Sequence, residues 1–157
     1  MDAKKSINLL KEEKAQILLA AWDRLAKIQQ LICNTKSEIF TRKGKALVSV
    51  TKKGTNVLVF HEKGAWSGKP EMNFSNVFRW TLNLNAGVIS LEHLRYVPPV
   101  FLVNLAPLSN HLLISLQPHV CRRDTYIGKM HLKPDGIHLH WSIMGPKKNE
   151  KIDSYYF

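Results

Sequence analysis

His119 and Cys121 stand two residues apart in the segment Pro118-His119-Val120-Cys121, and in an extended chain residues so spaced point to the same side. A histidine beside a thiol favours the thiolate by pairing it with imidazolium, and Asp124 is close enough in the chain to orient the ring. Such a set serves nucleophilic catalysis or contact with a ligand. It serves structure equally well, with Cys121 as a small buried apolar group and His119 and Asp124 tying a long turn together by hydrogen bonds.

A second group is His131, His138 and His140. If Lys133-Pro134-Asp135-Gly136 closes with a two-residue loop, His131 lies opposite His138, and His140 is a diagonal neighbour. The same register gathers Met130, Leu132, Ile137, Leu139 and Trp141 on the other face. So large an apolar set belongs in a core, which turns the histidines outward. A bulge at Gly136 would shift the pairing by one and break up the histidine face. Lys129 and Lys133 flank these histidines and repel a cation, so no metal site is expected there.

Trp80, Trp141, Phe78, Tyr126 and Phe101 could line a ligand cavity or simply pack a core. Glu62 and Arg95 interrupt otherwise apolar strands. Were both to point inward they would pair, because a lone buried charge is costly. The pair, or Arg95 alone, could fix the polar head of a ligand. Lys147 and Lys148 follow Gly145-Pro146 on a turn and could steer an anion at the mouth of a barrel. The candidate ligand contacts are therefore His119, Cys121, Asp124, Tyr126, Arg95, Glu62, Trp80, Trp141, Lys147 and Lys148, and no residue pattern names a cofactor.

Something must position these side chains. Ile7, Leu10, Ile17, Leu18 and Ala21 recur at helical offsets with polar residues between them. Ser6 is a candidate N-cap, so the spacing predicts a helix over 6–20 and a strand starting near Trp22. The period then changes to two. Ala46, Val48 and Val50 alternate with polar residues up to a Lys53-Gly54 turn. Extended segments follow from Val57, through Phe74–Leu82 to a break at Asn85-Ala86-Gly87, over Val88–Tyr96 and Val100–Leu105, then Leu112–Leu116, Tyr126–Leu132, Ile137–Met144 and Ile152–Phe157. Pro98-Pro99 separates two of them, since proline cannot sit inside a central ladder. Pro134-Asp135-Gly136 signals a hairpin in which the glycine takes the left-handed position. Nine or ten closely spaced strands leave no room for the crossover helices of a parallel sheet. The expectation is one antiparallel β-barrel domain over 1–157, a helix in 1–21 and the barrel in 22–157. Barrels of this size can hold one small ligand.

The run Pro118-His119-Val120-Cys121-Arg122-Arg123-Asp124-Thr125-Tyr126 resembles the Pro-His-x-Cys-x-x-Asp-x-Tyr stretch of an uncharacterised family of small lipocalin-like (calycin-type) barrels. Trp141-Ser142-Ile143-Met144-Gly145-Pro146-Lys147-Lys148 resembles that family's Trp-x-x-x-Gly-Pro-basic-Lys ending, and Tyr155 and Tyr156 follow on the last strand. Trp22, Glu62-Lys63-Gly64 and Phe78-x-Trp80 are weaker echoes. The family's ending usually continues Asp-Tyr, where this chain has Asn149-Glu150. The resemblance implies the lipocalin-like fold and brings no activity with it.

Composition narrows the classes further. With 45% apolar and 22% charged residues among 157, the chain has the make-up of a globular protein. The apolar run Ile17–Trp22 is too short to span a bilayer, and no secretory signal is visible, so the expected place is the cytoplasm. Two cysteines, Cys33 and Cys121, make no disulfide framework and read as reduced thiols. The net charge of +11 favours anionic partners at long range. The basic residues are nevertheless dispersed in doublets beside turns, where lysine keeps β-proteins soluble and their edges unpaired. Four functions fit: a binding module for a small, partly apolar and anionic ligand, a single-stranded nucleic-acid binder, an enzyme built on His119, Cys121 and Asp124, and a packed scaffold.

Overall fold

Leu18, Ala21 and Leu25 carry an apolar stripe at offsets of three and four straight past Trp22, and this decides where the first element ends. The computed structural model describes residues 9–95 and 97–157, so Ser6, Ile7 and Tyr96 lie outside the described residues. The helix, α1, spans Lys11–Ala26, later at both ends than the predicted 6–20. Trp22 is helical and begins no strand, because Ile17, Leu18, Ala21 and Leu25 all need burial on the same side. Glu12 and Glu13 in its first turn and Arg24 in its last complement the helix dipole.

Eleven strands follow: β1 (Gln30–Lys36), β2 (Thr41–Lys53), β3 (Val57–Trp66), β4 (Met72–Asn83), β5 (Val88–His93), β6 (Val100–Ser109), β7 (Leu112–Ser115), β8 (His119–Cys121), β9 (Asp124–Lys133), β10 (Gly136–Met144) and β11 (Asn149–Tyr156). Neighbours run β10-β11-β1-β2-β3-β4-β5-β6-β7-β9, and β9 pairs with β10 to close the ring. Ten antiparallel strands thus form the lipocalin-like barrel expected from the sequence, while the short β8 extends the edge of β9 beyond β7. The strands that sequence reading omitted are the short β8 and β1, where buried Leu31 and Cys33 alternate with exposed Gln30 and Ile32.

Alternation places the interior. Leu31 and Cys33 of β1, Leu58, Phe60 and Glu62 of β3, Trp80 of β4, and Tyr156 of β11 are all buried, each two residues from the next on its strand. The Pro134-Asp135 turn is two residues long, pairing Gly136 with Lys133 and His138 with His131. Met130, Leu132, Ile137 and Leu139 are buried as that register requires. Gly136 is not left-handed, in contrast to the expectation; positive φ occurs elsewhere, at Gly54, Gly87 and Arg122 among others. Its bare Cα serves a close approach instead, since a Cβ there would collide with the Tyr156 carbonyl oxygen.

α1 lies across the barrel end that carries this turn. Arg24 donates from Nε to the Lys133 carbonyl at 2.8 Å, and Ile17, Leu18, Ala21, Leu25 and Ile28 merge with the barrel core. The opposite end, where the β1–β2, β3–β4, β8–β9 and β10–β11 connections lie, is the mouth. Among the described residues no helix is long and apolar enough to cross a membrane.

Candidate functional site

Inside the barrel, between the helix-covered end and the mouth, lies a cavity of about 250 Å³. Most of its wall is apolar, from Leu31, Trp66, Phe74, Phe78, Trp80, Leu102, Tyr126, Leu139, Trp141 and Ile143. A small polar group interrupts that wall. Glu62, 1% exposed, points inward because its strand alternates Leu58, Phe60 and Glu62 toward the core. Tyr156 reaches across from β11 and donates its hydroxyl to Glu62 Oε2 at 2.6 Å. Asn76 stands directly opposite Glu62 on β4 and, with Tyr156, favours the ionised form of the same carboxyl. Cys33, Thr35 and Ser154 complete this polar side.

Burial governs the ionisation here. It pushes the Glu62 carboxyl from its ordinary 4.5 up to about 7, against the opposing pull of the Tyr156 and Asn76 hydrogen bonds. Burial, with the charge of Glu62 adding to it, pushes the Cys33 thiol up to about 11. The Tyr156 hydroxyl is raised for the same two reasons. Near neutral pH, then, the cavity holds a carboxyl poised between its two forms, an inert thiol and a phenol.

Trp80 is a wall residue that also buries a polar atom. Its ring lines the cavity and is 1% exposed, and it packs edge-on against Phe60 at 6.1 Å. Among the described residues no hydrogen-bond acceptor reaches its Nε1–H. A buried donor without a partner costs about 1–3 kcal/mol.

Of the residues singled out in the sequence, Glu62, Trp80, Tyr126, Phe78 and Trp141 line this cavity. Arg95 does not accompany Glu62: it is exposed in the bend that follows β5, and Tyr156 takes the partner position. Phe101 turns outward and is 42% exposed. The register of β5 against β6 shifts after Leu91, so Leu102 takes the inward place. Lys147 and Lys148 sit on the β10–β11 connection at the mouth, exposed.

The His119, Cys121 and Asp124 group is not brought together. His119 is half-buried at the rim, its ring 5.4 Å from Phe101 and 6.0 Å from Tyr126. Cys121 is exposed. Asp124 faces the other way, packed against Gly145 and 3.7 Å from Lys148 Nζ, so it ties the β8–β9 hairpin to the β10–β11 turn. Among the described residues no hydrogen bond joins the three. Sequence reading missed Cys33, Asn76 and Tyr156, although the spacing Ile152, Ser154, Tyr156 in the last strand carries the period-two signal for an inward face.

The histidines face outward, as expected, and they meet a residue the sequence reading did not consider. The β10–β11 connection sets Met144 opposite Asn149, which brings Asp153 opposite His140. Asp153 Oδ1 lies 2.7 Å from His138 Nε2 and 2.7 Å from His140 Nδ1. Burial acts to raise the Asp153 carboxyl, but the hydrogen bonds from the two imidazoles outweigh it and hold the group below the usual carboxylate range. The His138 ring is sandwiched between Tyr155 at 4.4 Å and His131 at 5.4 Å.

No curated protein and no solved structure shows significant similarity to this chain. The lipocalin-like barrel, and the meeting of the Asp124 and Gly145 segments at its mouth, accompany a family match that runs from within α1 to the last residue. The chain belongs to the family of unknown function DUF6314, which matches residues 18–157.

Proposed function

We propose that the barrel is a binding module that holds a small, mostly apolar molecule in its inner cavity. The observation that carries this reading is the inner cavity itself, walled mostly by rings and aliphatic chains, with the buried Nε1–H of its wall residue Trp80 lacking an acceptor among the described residues. A ligand that places a carbonyl or similar acceptor there removes a cost that the protein alone bears. The Glu62 carboxyl marks a second polar contact on the same wall. Its poise near neutrality lets it donate when protonated and accept when ionised. None of the lining residues is lysine or arginine, so a neutral head group suits the cavity better than the anionic one that net charge suggested. A cavity of about 250 Å³ is at the small end of ligand sites, which favours a compact planar molecule over a long chain. The two free cysteines, Cys33 and Cys121, fit a reducing compartment, and we assign the module to the cytoplasm on that ground.

The test is native mass spectrometry of gently purified protein, alone and after exposure to a small-molecule extract of cells, with Trp80→Phe in parallel. The wild type is expected to carry an added mass that is lost on denaturation. Trp80→Phe keeps the ring and deletes the donor, and should weaken retention of that molecule by about tenfold, the worth of one neutral hydrogen bond. A wild-type barrel that stays bare under both conditions would overturn the reading.

A further inference from the structure

The outer face of β10 and β11 presents a set of donors that the inner cavity does not use. His138 Nε2, His140 Nδ1 and Asp153 Oδ1 lie within 4.8 Å of one another. Two imidazoles and one carboxylate are the donor set that borderline divalent ions such as Zn²⁺ take with three protein ligands and an open fourth position. We propose that His138, His140 and Asp153 form a divalent transition-metal site on the outside of the barrel, with the remaining coordination position open to solvent.

Four observations support it. Both imidazoles already aim a nitrogen at the same carboxylate oxygen, 2.7 Å away in each case. Metal bonds of 2.0–2.1 Å in tetrahedral arrangement need donor atoms about 3.3 Å apart, so small side-chain rotations open the space. The backbone fixes the rest of the geometry. His138 and His140 are two apart on one strand, and Asp153 is the direct cross-strand partner of His140, so the three share one face by register.

The ligands are also held from behind. Tyr155 stacks on His138 at an interplanar angle of 11° and His131 covers the other face at 21°, which sets the plane of that ring before any ion arrives. His140 Nε2 lies 3.4 Å from Ser142 Oγ, in the place of the outer-shell partner that orients ligating histidines. Finally, the side chains are partly open, at 19% for His138, 26% for His140 and 30% for Asp153, so an ion can reach them. Lys129 and Lys133 stand nearby but are exposed, where water and salt screen their charge. Asp153, the residue sequence reading did not weigh, supplies the anion that makes a cation welcome.

The experiment is titration of the chelator-stripped full-length chain with Zn²⁺ by calorimetry, followed by ¹⁵N spectra of the histidine rings. One equivalent should bind, with large shifts confined to His138 Nε2 and His140 Nδ1. Asp153→Asn and His140→Gln, checked for an unchanged far-ultraviolet spectrum, should each weaken Zn²⁺ at least tenfold. Substitution with Co²⁺ should give an absorption spectrum free of thiolate charge transfer. Absence of binding, ring nitrogens that do not respond, equal affinity in the variants, or a thiolate band pointing to Cys121 would each overturn the proposal. The ring-nitrogen readout uses the wild type alone, so it stands even if a variant fails to fold.

Discussion

Glu62 is the residue whose chemistry depends most on where the fold has put it. On an exposed strand its carboxyl would be ionised throughout the physiological range, whereas in the barrel it titrates at about 7. A carboxyl that holds its proton more tightly in the folded chain than in the unfolded one stabilises the fold fully below its unfolded value. That contribution disappears as pH rises through the folded value. The window runs from 4.5 to about 7, and the shift corresponds to about 3 kcal/mol. Glu62→Gln keeps an acceptor for Tyr156 and removes the titration. The stability of the wild type relative to this variant, measured by urea unfolding from pH 4.5 to 8.5, should fall by about that amount. A flat difference across the window would mean that Glu62 ionises freely.

At the scale of elements, the hairpin β9–β10 shows how much a local sequence can specify. Pro134-Asp135 sets a two-residue loop, the loop sets His131 opposite His138, and the alternation then sends Met130 and Leu139 to the core. That reasoning works because the side-chain period of a strand is two and one face must be apolar. It fails where a long-range partner decides. The role of Gly136 was misread as a backbone preference, although the actual constraint is the carbonyl of Tyr156 on a different strand. Asp153 joined the histidines only through the register of β10 with β11. The end of α1 was misplaced because Trp22 suits a strand as well as a helix, and the stripe reaching Leu25 had to be weighed against it. A testable consequence follows for Gly136→Ala. The added methyl has backbone in its way rather than a flexible side chain, so the variant should lose about 1–3 kcal/mol in denaturant unfolding. An unchanged midpoint would show that the β10–β11 seam yields freely.

For the whole molecule, the helix decides what kind of barrel this is. With α1 covering one end and sharing its apolar residues with the core, the cavity lies toward the other end, where Lys147 and Lys148 stand on the β10–β11 connection. Leu18 is 1% exposed and has no polar alternative for its contacts. Leu18→Ala should cost about 2–5 kcal/mol, the range for deleting a buried leucine, read as a lowered unfolding midpoint. A variant as stable as the wild type would mean that the helix merely rests on the barrel. The net charge of +11 also belongs to this scale. No lysine or arginine lines the cavity, so added salt should alter encounter rates with charged molecules more than the hold on a neutral one.

The seam between β1 and β11 has a bearing on how the protein is made. These strands are hydrogen-bonded neighbours from Leu31–Tyr156 to Lys36–Lys151, and the Phe157 backbone exchanges hydrogen bonds with Gln30. Of the barrel's described strands, β1 is the first to leave the ribosome and β11 the last. Until β11 emerges, β1 has an unpaired edge and the interior has no wall on that side, so neither the cavity nor the Asp153–histidine cluster exists before that point. Closure across so long a stretch of chain is slow, and the nascent chain passes through that interval with two open strand edges for other chains to find.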